Sequence, residues 1–237
     1  LSKPVNRNLF VAAKIAGVLG AIAIFWYLCA TSTLLAVRVA TDQFRIDTRV
    51  LMGFFAALAV GCAYGGVRNY VSRASFCAEA VFGLIGAVTI GAAIAIFLPA
   101  SGGGTPPGFA WELLPALVLL LEAVLVFAAL AVALSTRLDW TGTLLVCFAV
   151  FVIGLMSDYL IGRFAAGNFV LGTLYALVPN WQLFWMADPL AAEQTIPWRY
   201  VGLGGVYAAL MIALLGLLAC ALFSGREVGN KQGGGRY

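Results

Sequence analysis

The chain has 237 residues, 63% of them hydrophobic, and its 14 Lys and Arg face 10 Asp and Glu with no histidine anywhere. A mean hydropathy of +1.00 over 25.0 kDa leaves no room for a sizeable water-soluble domain beside membrane spans. The lack of histidine excludes a bis-histidine haem, a histidine-ligated zinc or copper, and any Ser-His-Asp or Cys-His catalytic set. The net charge of +4 comes largely from residues flanking apolar blocks, so it bears on membrane orientation and not on nucleic acid.

Taken in order, six apolar segments stand out, at about 9–37, 50–67, 76–99, 111–134, 141–162 and 200–223. Each is to be a helix, because a segment crossing about 30 Å of hydrocarbon must satisfy its own backbone hydrogen bonds, which takes roughly 20 apolar residues. The expected fold is therefore all-α: a polytopic transmembrane helical bundle, with a single membrane domain over 1–224 and a polar tail at 225–237. The second segment is short and carries Gly53, Gly61, Gly65 and Gly66, which favours close helix approach but weakens it as an independent span. Arg73 precedes the third segment, and the run from Ser101 to Gly108, rich in Gly and Pro, follows it as a loop.

Cytoplasmic loops retain Lys and Arg. With both ends cytoplasmic, the inside receives Lys3, Arg7, Lys14, Arg68, Arg73, Arg137, Arg226, Lys231 and Arg236, and the outside receives Arg38, Arg45, Arg49, Arg163 and Arg199. This distribution favours that orientation, and the run Arg38 to Arg49, interleaved with Asp42 and Asp47, is its weakest part. Residues 163–199 form a connection too long for a turn and too apolar for a floppy loop. Within it Asn168 to Val178 is expected to form a short interfacial or re-entrant helix. Trp181, Trp185 and Trp198 fit an aromatic belt at headgroup level, and Pro179, Pro189 and Pro197 divide the rest into short pieces.

Few polar residues can carry function. Glu122 sits near the centre of the fourth segment, where a bare charge costs about 3 kcal/mol or more; it is either a group on a translocation pathway or a protonated or helix-bridging Glu that only holds the bundle together. Asp158 is a second pathway candidate, or a residue solvated near a helix end, as is Glu79; Asp158 and Arg163 are five apart and out of register for a helical i,i+4 pair. Asp139 is placed to cap the helix from Trp140 onward, or to meet a partner with Arg137. Lys3, Arg7 and Lys14 either anchor the first span at the headgroups or dock a partner, and Pro4 suits a helix start. Cys29, Cys62, Cys77, Cys147 and Cys220 are dispersed without metal-site or redox spacing and read as small core hydrophobes. No metal site is expected. The closest approach to a phosphate-binding loop, Gly225 to Gln232, lacks the closing Gly-Lys-Ser/Thr, so any ATP chemistry belongs to another chain.

The opening Leu1-Ser-Lys-Pro-Val-Asn-Arg7, followed by Leu9-Phe10 and Lys14, resembles the coupling element of ABC-2-type transporter permeases. Leu134-Ser-Thr-Arg137, the run Pro179 to Phe184, Asp188, Ile196-Pro-Trp198, Tyr200 and the closing Leu222 to Val228 resemble the same family's C-terminal third. The matching parts cover roughly half the chain and are collinear. Members usually have further spans before the coupling element, so the sequence is expected to lack the N-terminal part of a longer permease. The resemblance implies a permease subunit in the inner or plasma membrane of a prokaryote, multi-pass, with both ends of this chain cytoplasmic. It implies assembly with nucleotide-binding ATPase subunits and with a second permease subunit, as a homodimer or heterodimer, and it favours export. The chain would itself be no enzyme and hold no cofactor, with ATP and magnesium on the partner. Lys3, Pro4, Arg7 and Lys14 would couple to the ATPase, with Arg137 and Asp139 as a smaller second contact. The substrate stays open. The rival readings are an accessory structural subunit without its own transport path and a membrane-embedded enzyme, the latter disfavoured by the lack of convergent acid and base groups.

Overall fold

A computed structural model describes residues 7–42, 45–99, 108–165 and 167–224. Lys3, Pro4, most of the Gly/Pro loop and the polar tail lie outside the described residues. The protein is an all-α polytopic membrane bundle in which five helices are long and apolar enough to cross a bilayer. In chain order, α1 (Arg7–Val39) leads through the short strands β1 (Ala40–Asp42) and β2 (Arg45–Ile46) to α2 (Thr48–Ser72) and α3 (Phe76–Phe97). A 3-10 turn at Trp111–Leu113 opens α4 (Leu114–Leu134), followed by α5 (Trp140–Leu155). A π turn over Asp158–Gly162 then leads through α6 (Arg163–Ala165), α7 (Phe169–Leu177) and α8 (Ala187–Ala191) to α9 (Trp198–Ser224). The short helix expected in the long connection is α7.

Two segments differ from the sequence reading. The second, expected to be short, is a 25-residue helix, because it continues through Arg68 and Asn69 to an end at which Arg73 takes a left-handed conformation and returns its N–H to the Asn69 carbonyl. The fifth, expected to run to 162, is α-helical for only 16 residues. At Met156 the i,i+4 ladder loosens, and the Arg163 N–H then reaches back five residues to the Asp158 carbonyl. That π geometry is what brings Asp158 and Arg163 into one backbone hydrogen bond although their spacing suits no α-helical pair.

The chain forms two compact units, Leu1–Ile22 with Val118–Tyr237, and Ala23–Leu117. In the second, α2 and α3 pack as an antiparallel pair whose contact is set by glycine. A Cβ at Gly61 would fall 2.8 Å from the Leu84 backbone, and one at Gly65 would fall 2.7 Å from Ala80 Cβ. The glycines that weaken the helix in isolation thus bring two backbones together, gaining dispersion contacts that no lipid chain supplies. Leu35, Val50, Val88, Ala92 and Ala95 form the core of this unit. Polar side chains within it pair with one another or with its backbone: the Trp26 indole N–H donates to the Leu117 carbonyl at 2.7 Å, and the Tyr27 and Thr89 hydroxyls share a 2.7 Å bond.

Arg38, counted above among the charges of an outer loop, is instead buried, with its side chain 1% exposed. One guanidinium nitrogen lies 3.4 Å from Asp47 Oδ2 and the other donates to the Leu98 carbonyl at 2.9 Å. The other Asp47 oxygen accepts the Arg49 and Val50 N–H groups and caps α2. One carboxylate therefore both starts a helix and neutralises an arginine, and the arginine satisfies a carbonyl left over at the end of α3. Glu79 pairs with Arg68 at 3.4 Å on a partly exposed surface, where such a contact is worth little.

Gly66 faces open space, with nothing within 4 Å of where a Cβ would stand. Gly65→Ala is expected to lower the thermal midpoint of the purified protein, at a cost of about 1–3 kcal/mol from overpacking, whereas Gly66→Ala leaves it unchanged or raises it through helix propensity. Equal midpoints for the two variants would show that α2 and α3 do not meet at this face.

Candidate functional site

The first unit, Leu1–Ile22 with Val118–Tyr237, carries most of the sequence-predicted residues. At one end of it the start of α1, the end of α4 and the end of α9 are laced together. Val11 and Ile15 of α1, Val132 and Ala133 of α4, and Ala219 of α9 form a buried apolar cluster. Beyond that cluster Lys14 Nζ donates to Ser135 Oγ at 3.4 Å, and Arg137 Nε donates to the Leu222 carbonyl at 2.6 Å. The last carbonyls of a helix have no partner within it and carry partial negative charge, so the Arg137 cation answers both needs of α9. Asp139 starts α5, its carboxylate accepting the Gly142 N–H at 3.0 Å. The capping role expected of Asp139 is therefore present, and Lys14, Arg137 and Asp139 are gathered around the short link between α4 and α5. Arg7 is the first described residue of α1.

Glu122 lies on α4 against α9. A Cβ at Gly204 would fall 2.8 Å from Glu122 Oε2, and one at Gly205 would fall 3.1 Å from Oε1. Paired glycines thus make the room that the carboxyl group occupies. Oε2 is buried and, among the described residues, has no hydrogen-bond partner. At 100° per residue Glu122 stands on the face of α4 opposite Leu120, Val124 and Phe127.

Asp158 occupies a different setting. Its Oδ1 accepts the Tyr175 hydroxyl at 2.6 Å and the Asn180 amide at 2.9 Å, and the hydrogen bond to this carboxylate pushes the Tyr175 phenol above its ordinary pKa. The Asn180 backbone N–H in turn donates to the Tyr207 hydroxyl at 2.9 Å, while its side-chain oxygen caps the Trp181–Phe184 turn through the Gln182 N–H. The Tyr200 hydroxyl donates to the Leu183 carbonyl at 2.7 Å. A polar lattice therefore fixes the long connection onto α5 and α9. Of the three tryptophans, Trp185 and Trp198 are exposed, whereas Trp181 is 4% exposed and packs against protein. Its ring packs against Phe127 and Phe151 and lies over Gly154, where a Cβ would come within 2.5 Å of the indole.

Asn180, Tyr175, Tyr207 and Gly154 were not singled out from sequence for these roles. Their partners are 17 to 27 residues apart, beyond the reach of helical periodicity. The cysteines also differ from expectation: Cys147 is buried, but Cys29, Cys62 and Cys77 lie on exposed faces. No family model, curated protein or solved structure matches this chain.

An orphaned carboxyl oxygen costs about 1–3 kcal/mol. Glu122→Met, which fills a similar volume without that oxygen, is therefore expected to raise the thermal midpoint in detergent, while Gly204→Leu lowers it by forcing α4 away from α9. A lower midpoint for Glu122→Met would show that the carboxyl group has a partner in the protein as it exists.

Proposed function

We propose that this chain is the membrane-spanning permease subunit of an ATP-driven transporter, with ATP and magnesium held by a separate nucleotide-binding subunit and with export as the direction. The observation that carries this reading is the laced end of the first unit. The segment that resembles the ABC-2 coupling element leads directly into α1, and α1 is clasped there to α4 and α9 by Lys14, Arg137 and a shared apolar cluster. A push on the N-terminal element would thus be delivered to three helix ends together and not to one loose terminus. α1 is also suited to act as a lever: its 33 residues extend about 50 Å, well beyond the roughly 30 Å of hydrocarbon.

In this reading Lys3, Pro4, Arg7 and Lys14 face the ATPase, with Arg137 and Asp139 beside them, and the laced end is cytoplasmic. A second permease subunit completes the assembly, in the inner or plasma membrane of a prokaryote. Glu122, orphaned between α4 and α9, is the first candidate for a group that changes its surroundings when those helices move. Asp158 is tied into the polar lattice of the long connection and holds that region in place. ATP binding would act on the coupling element, shift the clasped ends and alter how α4 packs on the glycine face of α9, a change between discrete packings of the kind that interfaces permit.

Purification of the tagged chain from its own membrane in mild detergent tests the reading. A partner that hydrolyses ATP is expected to accompany the wild-type chain and to be lost from the Arg7→Glu/Lys14→Glu variant, with the variant still monodisperse. A monodisperse wild-type preparation from which every ATP-hydrolysing partner is absent would overturn it.

A further inference from the structure

Two half-open apolar pockets adjoin one another along α4 and α5. The first, about 370 Å3, is walled by Leu120, Phe151, Trp181, Phe184 and Trp185. The second, about 480 Å3, is walled by Ala131, Trp140, Leu144, Cys147 and Phe148. Phe127 and Phe151 belong to both walls and stand edge to face with ring centroids 6.1 Å apart. They form a constriction between the two chambers, and the Trp181 ring, 5.9 Å from Phe127, backs it.

The position of this groove decides what can fill it. α5 has 16 residues and rises about 24 Å, most of the hydrocarbon depth. Trp140, 82% exposed, marks one end and Trp185, 60% exposed, marks the other, so indoles stand where the two headgroup regions would lie. Walls this apolar, at that depth, hold neither water nor vacuum: an empty space forfeits the dispersion energy of every atom lining it, and polar partners for water are lacking. A transmembrane helix is excluded as the occupant by width. With side chains it is about 10–12 Å across, and the Phe127–Phe151 pair narrows the groove midway. A hydrocarbon chain, whose carbon atoms pack at about 4 Å, can bend past that pair and fill both chambers. Arg137 and Lys14 lie at the Trp140 end, beside the α4–α5 link, and supply the charge that suits an anionic headgroup there.

We infer that the α4–α5 groove is a binding site for an acyl chain of a bilayer phospholipid. The Phe127–Phe151 pair is its internal gate, and Trp181, seated on Gly154, holds the gate in position. The site goes beyond the transporter reading and does not depend on an ATPase partner. Trp140, Trp185 and the gate would be the residues that select chain length and shape.

The test uses the full chain in vesicles of phosphatidylcholine and phosphatidylglycerol that contain phosphatidylcholine with a diazirine midway along one acyl chain. After photolysis, adducts on Phe127, Phe151 and Cys147 are expected to exceed those on the outward-facing Leu210 and Leu217 by about tenfold. Ala123→Trp and Ala131→Trp, which fill the two chambers, are expected to remove that excess, and Val206→Trp on an outward face to preserve it. The comparison within the wild-type chain stands even if a filling variant fails to fold. Equal labelling of groove and outward positions would overturn the site, leaving only ordinary boundary lipid. Groove residues protected from the lipid probe and cross-linked to a second copy of the chain would overturn it in favour of a protein occupant.

Discussion

Water is absent from the hydrocarbon layer, and the long apolar helices of this chain answer to that constraint. Backbone groups are satisfied within helices because no other donor or acceptor is at hand. The hydroxyls of Thr31, Ser32 and Thr33 turn back onto the carbonyls of Tyr27, Leu28 and Cys29 in the preceding turn, as side chains without a nearer partner do. The same constraint makes the remaining polar side chains informative, since each must be paired, carried to an end or tolerated at a cost. Arg38 is paired with Asp47, Arg137 reaches the end of α9, and Glu122 keeps an orphaned oxygen.

Attraction between helices has a different source. Lipid tails are as apolar as leucine, so burying one more leucine gains little, whereas bringing backbones into contact gains dispersion energy. The glycines are used in that way at Gly61 and Gly65 against α3, at Gly204 and Gly205 around Glu122, and at Gly154 beneath Trp181. The last two cases are more specific than general small-residue packing, because each admits one particular large or polar group. A carboxyl group admitted between two spans and an indole seated on a helix backbone both tie side-chain position to helix spacing. A shift of α9 against α4 is therefore felt at Glu122, and a shift of the long connection against α5 is felt at Trp181.

The helices were legible in the sequence because length and hydropathy alone decide them. Their ends were read less well. α2 ran further than its glycines suggested, and α5 stopped short because its continuation is a π turn, which no periodic pattern announces. The Asp139 cap could be read from its place before an apolar run. The burial of Arg38 could not, because its partners Asp47 and Leu98 are 9 and 60 residues away and charges so spaced look like an ordinary loop. The same holds for Asp158, whose partners come from α7 and from the turn after Pro179. Lys14, Arg137 and Asp139 were each visible as charges at helix ends. That they gather on one link required the packing of Val11, Ile15, Val132 and Ala219.

The account turns on which face of the membrane that link occupies. Leu138 is exposed in the middle of it. In a chain whose native cysteines are replaced by alanine, a Cys placed at Leu138 should react with a membrane-impermeant maleimide from the cytoplasmic face alone, in inside-out vesicles and not in intact cells. Reaction in intact cells with silence in inside-out vesicles would put the laced helix ends on the side where no ATPase can reach them, and would contradict the account.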